Sequence, residues 1–460
     1  MVNLPTELVE ALPDDAQLER MRYRADPLAD QTVSRILGPW PSAPADVARQ
    51  QQRMAVVSRL FMSWQDNQSL QDWWPGQPDL EPEVAQCLAD YVREAQALPQ
   101  WADVTQIQSA EALFMEHGVL SCLLLFCASL PECYVVPDLA AVLQSTSQLT
   151  SNTQSRIRAT AAMVFPVMTE GGLTEPEGSG IAQILKVRLI HATVRYQVLH
   201  DSPQAILAAG PQAGLIPSAT LGAHATMHQA LAALGWDVNE LGLPCNQEEL
   251  AYTLLTFSYV FVRGLRQLGV SVSPHQADAY LHTWNVAGYI LGVQRSLMAD
   301  TMEEAALLFD RLQARGRVRP IQPDVRPALS RALIATMQDV LPKHGLLAPV
   351  LRPIPQQMTR YLCGPTTAQA LGLRSRFAWV SNALFKGCLL AIRGWEAALD
   401  WVWPQTSALN GPWQKLGRQL MAQLLLDQTQ PLQLPSSLRT RVQTVMDHWE
   451  KRRKYRPTAP

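Results

Sequence analysis

The sequence lacks any C-x-x-C pair. Its cysteines, Cys87, Cys122, Cys127, Cys133, Cys245, Cys363 and Cys388, are scattered and odd in number. That spacing excludes the common zinc and dithiol motifs. Thiols set mostly inside apolar runs read instead as buried side chains of a reducing compartment. A charge imbalance is also missing: 38 Lys and Arg against 40 Asp and Glu leave a net charge of −2. Nothing there marks a nucleic-acid surface. The longest apolar run, residues 119–130, falls short of the roughly 20 residues a bilayer span needs. Residues 377–403 are apolar but carry Lys386, Arg393, Glu396 and Asp400, which suits an amphipathic helix. We therefore expect no stable membrane insertion. The opening Met-Val-Asn-Leu-Pro shows no basic stretch followed by an apolar one, so a cytoplasmic location is expected. Period-two alternation and internal repeats are absent as well, which argues against sheets and solenoids.

What remains is helical pattern throughout, and the expected class is all-α. Apolar residues recur at helical spacing over 83–97, and again over 106–130, where Pro131 should stop the helix. Pro137 sits at the first-turn position of a further helix expected to run to about residue 148. Further helices are expected over 151–165, around Lys186, and over 250–268, the last opened by Asn246 and closed by Gly269. Ser273-Pro274 starts another over 276–293, and 302–315 and 327–341 follow. The proline-dotted stretch 342–355 is the best linker. It divides the chain into a main helical domain, 1–350, and a C-terminal helical extension, 351–460, packed on it. The extension ends in the basic tail Lys451-Arg452-Arg453-Lys454.

One stretch organises the rest. Lys186-Val187-Arg188-Leu189-Ile190-His191-Ala192-Thr193-Val194-Arg195 places Arg188, His191 and Arg195 at i, i+3 and i+7. On a helix these fall within about a 60° arc. Leu185, Val187, Leu189, Ile190 and Val194 occupy much of the remaining circumference, the mark of a buried helix. Two readings stand side by side. The arc is the solvated stripe of an ordinary helix, or the salt-bridging face of a cofactor-free scaffold. Alternatively it is a buried face whose cations need partners, which an anionic cofactor supplies. A haem offers iron to an imidazole and two propionates to guanidinium groups.

Other candidates carry less. His224 and His228 stand at i, i+4 but without the H-E-x-x-H glutamate. His117 in its apolar helix reads as a core residue, with the distal side of a haem as the alternative, and His200 and His282 read as structural. The glycines at 171, 172, 178 and 180 follow no strand, so they form no nucleotide loop.

A set of short motifs, in order, resembles the rubber-oxygenase (latex-clearing protein) family, whose catalytic domain is shared with the mpaB oxygenases. They are Asp26-Pro27-Leu28-Ala29-Asp30, Leu98-Pro99-Gln100-Trp101-Ala102-Asp103, Tyr134-Val135-Val136-Pro137-Asp138, Arg156-x-x-x-Thr160 and Gly171-Gly172-Leu173. The Lys186–Arg195 stretch, Gly235-Trp236-Asp237 and Gly242-Leu243-Pro244-Cys245-Asn246-Gln247-Glu248-Glu249-Leu250 continue the match, which extends over roughly residues 20–375. The resemblance implies a globin-like helical core holding haem b, with His191 as proximal iron ligand and Arg156, Thr160, Arg188 and Arg195 around the cofactor. It implies an oxygenase with dioxygen bound opposite His191 and an apolar, unsaturated, isoprenoid-like small molecule as substrate. Two departures stand out. Ala159 replaces a lysine that caps the distal side in rubber-cleaving members, and Ala140 replaces their upstream glutamate. Asp138, the nearest carboxylate, suits a helix N-terminus, so no general base is assigned. A non-catalytic haem-binding or gas-sensing protein is the alternative function.

Overall fold

The computed structural model describes residues 12–38, 44–76, 80–142, 153–199, 238–319, 324–340 and 352–373, and Gly387. Its helices are α1 (Asp15–Met21), α2 (Pro27–Leu37), α3 (Pro44–Phe61), α4 (Pro82–Ala95), α5 (Val104–Glu116), α6 (Gly118–Leu124), α7 (Leu130–Tyr134), α8 (Thr153–Met168) and α9 (Gly180–Leu199). After these come α10 (Val238–Leu241), α11 (Gln247–Phe257), α12 (Tyr259–Gln267), α13 (Pro274–Ile290), α14 (Met302–Arg317), α15 (Arg326–Val340) and α16 (Ile354–Ala370). The described residues contain no strand, and the fold is all-α. No single helix among them is long and apolar enough to cross a membrane; one pair, bent by 92° near residue 117, passes that test only jointly.

Local chemistry sets most of the boundaries. Asp26 caps α2 by accepting from the Ala29 N–H, with Pro27 in the first turn. Ser273 and Gln276 form a capping box at the start of α13, again with proline behind the cap. Asn246 caps α11 by accepting from the Glu249 N–H, and Glu248 and Glu249 fill its first turn. Gly269, expected to end the helix before it, has φ +85°, a conformation glycine adopts without steric cost.

Two expected helices are broken. The stretch predicted as one helix over 106–130 divides at His117 and then passes through a π turn, Leu125–Ser129. Pro131 does not stop it. The π turn widens the spiral, and proline falls in the first turn of α7, where its missing donor is not needed. The helix predicted over 250–268 divides at Ser258, whose ψ of −77° separates α11 from α12. Its hydroxyl donates to the Leu254 carbonyl, a back-bond that bends helices.

The core is continuous. Helix α13 lies along α5, α2 packs on α4, and α9 lies against α2 and α8 and also meets α13. Helix α16 packs on the π turn, α15 and α7, so the first C-terminal helix joins the main body. The boundary at residue 350 lies outside the described residues.

The turn leading into α9 is fastened by one side chain. The Asn67 amide donates to the Gly172 carbonyl (3.0 Å) and the Glu175 carbonyl (2.9 Å), and its oxygen accepts from the Ile181 N–H (3.2 Å). A Cβ on Gly178 would lie 2.2 Å from the Gly171 carbonyl, so only glycine fits where these strands of backbone cross. Asn67→Ala strips the Ile181 N–H of its partner and leaves the Gly172 and Glu175 carbonyls with one hydrogen bond each, from the Gly180 and Gly178 N–H groups. We expect it to lower the free energy of unfolding by about 2 kcal/mol, read as a shift in denaturation midpoint; an unchanged midpoint would show that the turn holds without Asn67.

Candidate functional site

Helix α9 is apolar nearly all round, and four polar contacts fix its rotation. The Tyr91 hydroxyl of α4 donates to the Leu185 carbonyl (2.8 Å), and the Tyr196 hydroxyl donates to the Gly38 carbonyl at the end of α2 (2.6 Å). Between them stand the two arginines singled out from the sequence.

Arg188 is buried, and all three of its guanidinium nitrogens are engaged. Nε and Nη2 donate to the two oxygens of Asp26 (2.5 and 2.8 Å), and Nη1 donates to the Ile290 carbonyl (2.9 Å). This is a bidentate fork, the strongest form of the pair. Gly292 closes the space behind it: a Cβ there would lie 2.5 Å from Asp26 Oδ2. Gln247 completes the knot, donating to the Ala25 carbonyl (3.0 Å) and the Gly292 carbonyl (2.8 Å) and accepting from the Gln294 N–H (2.9 Å). Arg195, 2% exposed, donates from Nε to Asp30 (2.8 Å) and from Nη1 to the Cys245 carbonyl (2.8 Å). Three motifs distant in the chain thus meet on one flank of α9. Its two guanidiniums face carboxylates of this protein.

His191 lies beside that flank. The residue as a whole is half-buried, but its Nδ1 is shut off from solvent and has no hydrogen-bond partner among the described residues. Burial, reinforced by the Arg195 charge, pushes the imidazole down to about 4, so it is neutral at pH 7, the form that binds metals. The face next to His191 is open. Lys186, Val187 and Thr193 are half-buried, and Ile190 is 53% exposed. At about 100° per residue, Lys186, Ile190, Val187 and His191 span an arc of about 140°, with His191 at the end of it nearest Arg188 and Arg195.

Of the other expected site residues, Thr160 is half-buried on α8. Arg156 belongs to the same helix, and its side chain lies outside the described residues, as do His200, His224 and His228. Ala140 is fully buried and offers no carboxyl. Asp138 is buried, accepts from the Leu139 N–H (3.0 Å) and pairs with Arg319 (3.3 Å). It stands in the first turn of the helix that begins at residue 137, as expected, and is also an ion-pair member. His282 accepts from the Asp103 N–H (2.9 Å), the structural role expected of it.

Two buried carboxyls escaped the sequence reading. Glu249 has both oxygens buried without hydrogen-bond partners. Burial first, then the neighbouring Asp138, raises its carboxyl well above the usual range. It lies near Cys245, which packs on Val194 and Val142. Glu111 accepts from the Gly171 N–H (3.0 Å) through Oε2, while Oε1 is buried and unpartnered. Burial raises it to about 7 despite the loop N–H groups that lower it. The Glu248-Glu249 pair was legible only as helix-start acids, and nothing local to Glu111 signals the loop that covers it.

Comparison with known proteins agrees with the geometry. Residues 111–394 match the family model described as ER-bound oxygenase mpaB/B'/rubber oxygenase, catalytic domain. The rubber oxygenase of Streptomyces sp. (strain K30) is 24% identical over 324 residues, which are 69% of this chain and 66% of that protein, just under two thirds of its length. A solved latex clearing protein in its closed state superposes with a TM-score of 0.61 at 19% identity, covering 90% of this chain and 95% of that one; at that identity the likeness concerns the fold. With more than half of its length inside the family model, the chain belongs to the mpaB/rubber-oxygenase catalytic-domain family.

Proposed function

We propose that this protein is a haem b-dependent oxygenase acting on an apolar, unsaturated small molecule of isoprenoid type, with His191 as the single axial ligand and dioxygen as co-substrate. The carrying observation is the His191 imidazole: neutral, with a buried Nδ1 that no group among the described residues satisfies, beside a half-open apolar helix face. Buried polar atoms are almost always paired, and a neutral imidazole next to exposed Ile190 fits an axial ligand of a flat apolar cofactor. A globin-like arrangement of the helices around it is part of the same reading. Bound haem supplies an iron centre able to activate dioxygen.

The rest falls to the chain's own residues. Asp26 and Asp30, through Arg188 and Arg195, fix how α9 is rotated and so where the imidazole points; we read both arginines as positioning residues. Val187 and Ile190 keep water from the cofactor face. A reading as a haem-binding protein without turnover draws on Ala159 and Ala140, which remove the capping lysine and the glutamate of rubber-cleaving relatives.

The test is optical. Purified protein should show a Soret band, and His191→Ala should lose it while keeping its helical circular dichroism. Full haem retention in that variant would sink the ligand assignment. Uptake of dioxygen with an alkene substrate separates an oxygenase from a carrier.

A further inference from the structure

We infer that Gln183, about two turns ahead of His191 on α9, donates its side-chain amide to a carboxylate of the haem. This rests on the reading of His191 as the axial ligand. Gln183, Val187, Ile190, His191 and Val194 stand at i, i+4, i+7, i+8 and i+11. At about 100° per residue they fall within an arc of about 100°, one stripe along the helix. The stripe is open in the middle and closed at both ends. Val187 and His191 are half-buried and Ile190 is exposed, whereas Gln183 and Val194 are buried. That outlines a slot about 16 Å from end to end, at about 1.5 Å per residue. Gln183 and His191 are its polar members. Each has a buried nitrogen with no hydrogen-bond partner among the described residues, Nε2 of Gln183 and Nδ1 of His191. Buried polar atoms are almost always paired, and one flat ligand with a metal at its centre and acids on its edge answers both.

The two ends of the slot differ in charge. Carboxyl groups gather at the Val194 end: Asp30 on Arg195, and Glu249 and Asp138 near Cys245, which packs on Val194. An acid edge turned that way meets like charge. Donors gather at the Gln183 end. Ser179, one turn earlier, accepts the Gln183 N–H on its carbonyl (3.1 Å), and its own hydroxyl is buried without a partner among the described residues. The first turn of α9 adds the positive end of the helix dipole. Glu111, which reaches the loop before α9, is raised by burial to about 7 and brings only a partial charge. The acid edge therefore belongs toward the start of α9, where the Gln183 amide offers N–H donors.

The experiment titrates full-length protein, freed of haem, with two probes: haem, and haem dimethyl ester, in which both acids are blocked. Gln183→Leu should weaken haem binding about tenfold and leave ester binding unchanged. Gln183→Glu keeps the shape but sets a carboxyl against the acid, so it should weaken haem binding at least as much. Equal haem affinity in wild type and Q183L overturns the inference, and so does an equal loss for haem and ester, which would reduce Gln183 to packing. Unfolding of the haem-free proteins is the control. A buried amide without a partner costs stability, so Q183L should keep or raise the wild-type denaturation midpoint. A clear fall would mean that the amide is satisfied inside the protein, and it overturns the inference too. If wild type binds neither probe, or H191A binds haem fully, it is the axial assignment that fails, and the inference falls with it; a Q183L failure alone leaves that assignment standing.

Discussion

Asp26→Ala should destabilise the protein by about 3–5 kcal/mol, because it strips a buried arginine of its carboxylate partner. The Asp26 carboxylate caps α2, accepts two hydrogen bonds from Arg188 and lies where Gly292 leaves no room for a Cβ. Among the described residues no other carboxylate accepts from Arg188, so its charge stays desolvated and uncompensated. The expected reading is a large drop in denaturation midpoint. Asp26→Ala combined with Arg188→Met should recover much of the loss, since a buried pair replaced by apolar groups is often neutral. A cost below about 1 kcal/mol for the single change would mean that water reaches the guanidinium and that the knot is not closed.

The pieces of that knot were each visible in the sequence, but their meeting was not. Asp26-Pro27 announces a capped helix, and Arg188 and Gln247 stand in motifs that mark the family. Spacing along one helix predicts which side chains share a face. It does not say that Asp26, some 160 residues away, fills the guanidinium that a cofactor acid was expected to take. The all-α class was legible because period-3.6 pattern and capping residues are local properties. The breaks at His117 and Ser258 were not, because a π turn and a back-bonded serine leave the apolar pattern intact. His191 stands out in the sequence through its neighbours on α9. Whether its ring is satisfied depends on the helices around it, which only the assembled fold decides.

The second large effect is on pH dependence. Glu111 is held at about 7, against 4.5 for an ordinary glutamate, chiefly by burial. A carboxyl raised by folding binds its proton more tightly in the native state. Its contribution to stability is therefore fully present below about pH 4.5 and is lost as pH rises through about 7. The difference amounts to about 3 kcal/mol. Glu111→Gln keeps an acceptor for the Gly171 N–H and cannot ionise. Between pH 5 and pH 8 the wild type should lose about 3 kcal/mol more than this variant. Parallel pH curves for the two proteins would show that Glu111 is solvated and titrates normally.

The family match begins at residue 111, whereas the anion that neutralises Arg188 is contributed by residue 26. The catalytic unit is thus wider than the boundary homology draws around it. A fragment trimmed to residues 111–394 would keep the imidazole and discard the counter-ion that fixes the helix bearing it. Its behaviour would then report on the missing anchor and not on the chemistry of the domain.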